Sequence, residues 1–187
     1  RVTDLEVGAF CLAMRIKGET PEELGGFLDA THERLARFPA PSGRPLIVIP
    51  SYNGARKLPV LTPLLALLLA REGLSVLVHG SASETSRVLA SNVLSALDMP
   101  PMTTLTPLAA GQVGFAPTEL LNPALKRLLD VRRVVGLRNP GHSVVKLMRP
   151  TTGPCVVVAS YTHPEYARTM GETFELTGMT ALLSRGL

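Results

Sequence analysis

Three short apolar runs, "LIVI" (46–49), "LSVLVHG" (74–80) and "GPCVVVAS" (153–160), set the tightest limit on what this chain can fold into. They are close to continuously apolar and bounded by Gly, Pro and Ser. Such runs suit strands covered on both faces, as in a parallel sheet flanked by helices. Helical sequence lies between them. "VLTPLLALLLAREG" (60–73) predicts a helix closed by Gly73, and "RVLASNVLSAL" (87–97) predicts another after the hydroxyl-rich loop "SASETS" (81–86). "HPEYARTMGETFELTG" (163–178) predicts a third, ending at Gly178, after which "MTALLSRGL" starts a further strand. Strand and helix in alternation imply an α/β fold with a mainly parallel sheet and right-handed crossovers.

The first 38 residues read differently, as two helices. "DLEVGAFCLAMRIKG" has Leu5, Ala9, Leu12 and Ile16 at helical spacing and ends on Gly18 as a C-cap. The second helix starts with Thr20 as N-cap, Pro21 at the first helical position and Glu23 three residues after the cap. "PAPSGRP" (39–45) is the connector, so residues 1–40 form a helical small domain and 41–187 an α/β domain. Segments near 105–135 are candidates to pack on the helical part. Residues 100–118 are punctuated by Pro and Gly, and a helix near 119–136 follows. There is no internal repeat and no low-complexity tract.

With 187 residues, 45% hydrophobic and 18% charged, the chain can bury a core, and a disordered composition is excluded. The longest apolar run, Pro59 to Ala70, holds two prolines and stops at Arg71-Glu72, short of the roughly 18 residues of a membrane span. Cys11 and Cys155 give neither a disulfide framework nor metal spacing, which fits a reducing cytoplasm. A helical pattern is already running near Arg1 and no signal peptide is visible; the expectation is a fragment, or a protein whose start is missing.

The net charge of +4 is unevenly placed. Lys126, Arg127, Arg132, Arg133, Arg138, Lys146 and Arg149 lie within 24 residues against Asp130 alone. Such asymmetry points to an anionic partner: phosphate, nucleic acid or an acidic small molecule. The competing reading is a solvated helix face, with Lys126–Asp130 at i,i+4 and Asp130–Arg133 at i,i+3 as surface pairs. His142 and Ser143, between Gly141 and Lys146, either donate to a phosphate or sit in an exposed turn. His79 precedes Gly80 at a strand end, where open α/β sheets place ligands. Ser81, Ser83, Thr85 and Ser86 either bind a phosphate at a helix N-terminus or cap that helix. His32, His163, Cys11 and Cys155 have no partners at ligand spacing, and no metal site or catalytic residue is assigned. With only Tyr52, Tyr161 and Tyr166 as tyrosines and no Trp, binding is expected to rest on backbone charge more than on stacking.

Several blocks resemble one family in order and spacing. "LAMRIKGETPEELGGFLDA" resembles the small helical domain of anthranilate phosphoribosyltransferases. "LSVLVHGSASETSRVLASNVLSALDM" is similar to their strand–loop–helix around a Lys-His-Gly-Asn-Arg motif. "GFAPTELLNPALKRLLDVRRVVGLR" is similar to their Phe-Ala-Pro segment with the signatures behind it. The resemblance implies a nucleoside-phosphorylase-type fold, incomplete at both ends: a small helical domain and a larger α/β domain, paired as homodimers through the helical domain.

Against that family the substrate loops are altered. Its Gly-rich loop corresponds to Ile49-Pro50-Ser51-Tyr52-Asn53-Gly54, where Pro50 offers no N–H and Tyr52 places a ring where glycine lets backbone approach. The Asn-Ile-Ser-Thr that follows becomes Pro59-Val60-Leu61-Thr62. In the second motif His79 and Gly80 remain, while Val78, Ser81 and Ala82 replace Lys, Asn and Arg. Asn53, Gly54, Thr62, His79, Gly80, Ser81, Ser83 and Ser86 are thus inherited pocket positions, and Arg132 sits where the enzymes hold the anthranilate carboxylate. "GLRNPGHSVVKLMRP" (136–150) resembles the family's non-enzymatic, YbiB-type DNA-binding branch. The resemblance implies a sequence-tolerant DNA- or RNA-binding dimer without cofactor. Its phosphate contacts would be Lys126, Arg127, Arg132, Arg133, Arg138, His142, Lys146 and Arg149, helped by Arg56, Lys57 and Arg87. The alternative is an active phosphoribosyl or glycosyl transferase using phosphoribosyl pyrophosphate and Mg²⁺.

Overall fold

A computed structural model describes residues 2–41, 43–55, 58–82 and 87–186. Five parallel strands form one sheet, and helices cover it as the sequence pattern requires. In chain order the elements are α1 (Asp4–Lys17), α2 (Pro21–Glu33), β1 (Leu46–Ser51), α3 (Thr62–Arg71), β2 (Val76–Gly80), α4 (Ala90–Ser95), β3 (Val113–Pro117), α5 (Thr118–Leu121), α6 (Pro123–Val135), α7 (Gly141–Val144), β4 (Cys155–Tyr161), α8 (Pro164–Leu176) and β5 (Ala181–Arg185). The strand order is β3-β2-β1-β4-β5.

Both N-terminal helices start on capping boxes. Thr3 pairs with Glu6 in α1, and Thr20 pairs with Glu23 in α2, with Pro21 opening the helix. Gly18 closes α1 at φ 78°, its N–H bonded to the Met14 carbonyl. The buried side of α1 is Cys11 and Met14; the expected stripe instead faces solvent, with Leu5 83% and Ile16 79% exposed. Helix α2 packs against α8 and α7.

Alternate residues of the strands divide between two cores, as the pleat demands. Leu46, Val48, Leu77, Ala116, Val157 and Ala159 meet Leu24, Leu28, Phe38, Leu125, Met170 and Phe174 on one face. Ile47, Ile49, Val76, Val78 and Phe115 meet Ala66, Ala70, Ala90 and Leu94 of α3 and α4 on the other.

Two departures from the sequence pattern have local causes. The helix expected over 119–136 is broken at Asn122, held extended (φ −157°, ψ 96°) because Pro123 follows. Asn122 turns that break into a start: its side chain accepts the Leu125 N–H at 3.0 Å. β3 lies inside the Pro/Gly-punctuated stretch. Gly114 fits there because a Cβ would come within 2.3 Å of the Met102 side chain. The Met102 N–H bonds the Phe115 carbonyl at 2.8 Å and occupies part of that edge. Among the described residues no helix is long and apolar enough to cross a membrane.

Candidate nucleic-acid interface

The site is built at the carboxyl ends of β1, β2 and β4, where a parallel sheet leaves a crevice. Pro50 and Ser51 of β1 lie in register with His79 and Gly80 of β2. Glycine is required at 80, since a Cβ there would stand 2.0 Å from the Ser51 carbonyl oxygen. Tyr52 follows directly and turns its hydroxyl inward, 3.0 Å from His79 Nδ1 and 3.1 Å from Thr118 Oγ1. Thr118 donates to the Gly80 carbonyl at 2.9 Å. The Tyr52 and His79 rings meet edge-on, with centroids 5.6 Å apart.

His79, expected to face a ligand, is 0% exposed. Burial pushes its pKa down to about 3 and pushes the Tyr52 phenol upward, so both are neutral. The Nε2 of His79 is buried and lacks a hydrogen-bond partner.

In front of Tyr52 a cleft of about 70 Å³ is lined by Pro50, Ser51, Tyr52, Asn53, Thr62, Lys146 and Ser160. Arg138 donates to the Asn53 side-chain oxygen at 3.1 Å and so ties the α6–α7 connection to the loop after β1. α7 is set by Asn139, which is buried: it donates to the Leu128 carbonyl at 2.7 Å and accepts the Gly141 N–H at 3.0 Å. His142 Nδ1 lies 3.3 Å from both the Asn139 N–H and the Asn139 side-chain oxygen, which holds the ring against the start of α7. Its pKa falls to about 4, through burial first and then the positive charges of Arg138, Arg132 and Lys146. Burial and Arg138 also lower the pKa of Lys146. Arg132, Arg138, His142 and Lys146 therefore share one field beside the cleft, and neither Arg132 nor Lys146 takes part in an ion pair among the described residues.

The other expected contacts are distributed around this group. Lys126 and Arg133 are both paired to Asp130, the latter at 3.4 Å, so the surface-pair reading holds for these two. Arg127 is exposed on the same helix. Arg149 belongs to another neighbourhood: its N–H bonds His32 Nε2 at 3.0 Å, and its carbonyl accepts from Arg37 at 3.2 Å. Arg87 is half-buried against Gly54, where a Cβ would come within 2.6 Å of the Arg87 Cβ. Ala55 N–H bonds the Val88 carbonyl at 2.8 Å, joining the segment after β1 to the one before α4. The Ser81 carbonyl lies 3.4 Å from Ser91 Oγ. Arg56, Lys57, Ser83 and Ser86 lie outside the described residues. Sequence reasoning missed Ser160 and Thr118. For Ser160 a signal existed, a hydroxyl closing an otherwise apolar buried strand.

With this geometry in place, comparison with known proteins is informative. Residues 1–34 match the glycosyl transferase family, helical bundle domain. The uncharacterized protein YbiB of Escherichia coli K12 is 38% identical over 191 residues, covering 99% of this chain and 60% of that protein. The anthranilate phosphoribosyltransferase of Aquifex aeolicus is 30% identical over 162 residues, covering 84% of this chain and 46% of the enzyme. The crystal structure of the anthranilate phosphoribosyltransferase from Thermus thermophilus superimposes with a TM-score of 0.81 at 25% identity, covering 99% of this chain and 57% of that one. In sequence and in fold the chain is thus similar to the anthranilate phosphoribosyltransferases and to YbiB. The chain spans about half the length of the relatives it matches.

Proposed function

We propose that this phosphoribosyltransferase-like fold binds the nucleic-acid backbone with little sequence preference, and that the cleft beside Lys146 holds a phosphate. One observation carries the reading: Lys146 lines the cleft and Arg138 reaches Asn53 on its wall, with Arg132 close enough to act on the neighbouring His142, while Asp130 is taken up by Lys126 and Arg133. Lys146 offers three donors at the cleft, Ser51, Thr62 and Ser160 supply hydroxyls, and exposed Arg127 extends the field along α6. Phosphate contacts of this kind position a strand without reading bases.

Three to four such contacts predict that affinity falls roughly 40- to 150-fold between about 50 and 200 mM salt. Fluorescence anisotropy with a labelled mixed-sequence oligonucleotide reads this directly. The double variant Arg132→Glu with Lys146→Glu should weaken all sequences alike and flatten the salt slope; unchanged affinity would remove the assignment.

Phosphoribosyl transfer is the second reading, favoured by the similarity to enzymes of that name. One feature weighs against it: Tyr52, its hydroxyl turned inward to His79 and Thr118, borders a cleft of about 70 Å³, small for a ribose carrying pyrophosphate. Heat released on adding phosphoribosyl pyrophosphate with Mg²⁺ in calorimetry would restore it.

A further inference from the structure

The protein has no Trp and only three tyrosines, yet all three stand at the carboxyl end of the sheet. Tyr52 follows β1, Tyr161 is the last residue of β4, and Tyr166 lies in the first turn of α8. Tyr52 is committed inward to His79. Tyr161 directly follows Ser160, a wall of the Lys146 cleft, and its carbonyl is fixed by the Gly186 N–H at 2.7 Å. His163 opens α8 and its carbonyl receives the Tyr166 N–H at 3.0 Å, which holds the two rings 6.3 Å apart at 55°. Tyr161 and Tyr166 pack against the core while remaining half-exposed, and His163 is exposed. The two tyrosine rings are therefore anchored on one side and accessible on the other, and His163 lies beside Tyr166. Exposed Arg185 pairs with Tyr161 across the sheet and adds a cation at the same edge.

We propose that the ligand is single-stranded nucleic acid, with one phosphate at Lys146 and the adjoining bases stacked on Tyr161 and on the His163–Tyr166 pair. This rests on the nucleic-acid reading above and narrows its substrate class. A duplex hides its base faces in its own stack and can use only the phosphate contacts. A single strand offers a face per nucleotide, and stacking on aromatic rings tolerates any base. At the end of β4 Ser160 faces the cleft and Tyr161 the opposite side of the strand, the side that carries the same core as α7, from which Lys146 follows, so the cleft and the ring platform share this end of the sheet.

The test uses the full chain with single- and double-stranded DNA and single-stranded RNA of the same mixed sequence. Without Trp, the intrinsic emission is that of the tyrosines alone, so stacking should quench it when a single strand is added. Single strands should bind more tightly than duplex at equal salt. Tyr161→Leu and Tyr166→Leu should each lower single-strand affinity roughly five- to a hundredfold, leaving duplex affinity and the salt slope unchanged. Tyr161→Phe, which keeps the ring, should retain wild-type single-strand affinity. Equal affinity for single strand and duplex without quenching, while the Arg132/Lys146 double variant still weakens both, would overturn the stacking inference and leave the backbone reading intact. Absence of binding to either form would overturn both.

Discussion

Behind the cleft, the proton of the Thr118 hydroxyl goes to the Gly80 carbonyl, so the Tyr52 O–H points to Thr118 Oγ1 or to His79 Nδ1. Either way the Tyr52 hydroxyl is shared by two buried groups, and Tyr52→Phe strands them. The expected cost is about 1–3 kcal/mol, read as a lower urea midpoint with unchanged slope. The same burial makes stability depend on pH. The pKa of His79 is lowered from 6.5 to about 3, by burial, and that of His32 to about 4, by burial and then by Arg37 and Arg149. Below pH 6.5 the unfolded chain takes up protons that these folded histidines refuse. Their contribution is thus complete above about pH 7 and declines as pH falls toward 4, by about 1.4 kcal/mol per pH unit for each histidine. Urea titrations at pH 7.5, 6, 5 and 4 check this, and a flat profile would show that the buried rings open to solvent before titrating. His32 accepts the Arg149 N–H on Nε2, so its protonation also breaks a link between α2 and the segment leading to β4.

At the level of elements, α6 carries charge of two kinds. Asp130 draws in Lys126 and Arg133, while Arg132, the residue before Arg133, acts with Arg138 and Lys146 as a positive charge on His142. Asp130→Asn should release both partners to the surface and tighten oligonucleotide binding about two- to fivefold at low salt, with little change in melting temperature. This division marks the limit of what the sequence discloses. The i,i+4 and i,i+3 spacings around Asp130 are local and were legible, as were the Thr20–Glu23 capping box, the Gly18 cap and the strands at 46 and 76. β3 was not, because Gly114 and Pro117 interrupt its apolar pattern and its place depends on packing against Met102 and Leu108. Nor could the spacing say that Arg149 meets His32 and Arg37 while Lys146 lines a cleft with Ser51 and Ser160, since these neighbours come from distant parts of the chain. The apolar periodicity of α1 was visible, but which side of it finds a partner is a tertiary matter.

That side frames the last expectation at the scale of the whole molecule. Leu5, Leu12 and Ile16 lie exposed along one side of α1, with Val2 exposed just before it, while Cys11 and Met14 are buried and Phe10 meets the Phe27 ring edge-on on other sides of the helix. A contiguous apolar stripe of this kind, on a helix with little else to bury it, is suited to an isologous contact between two copies. Light scattering after gel filtration should therefore give about twice the 20.0 kDa chain mass. Leu5→Asp with Ile16→Asp should give monomers that melt at the wild-type temperature, because both side chains already face solvent. Pairing the two basic clefts in one particle adds a consequence for binding. An oligonucleotide long enough to reach both sites binds its second site intramolecularly, so the double variant should lose affinity for long strands far more than for short ones. If long and short strands weaken equally, the clefts act independently and the stripe contributes nothing to binding; if the variant stays dimeric, the contact lies on another face.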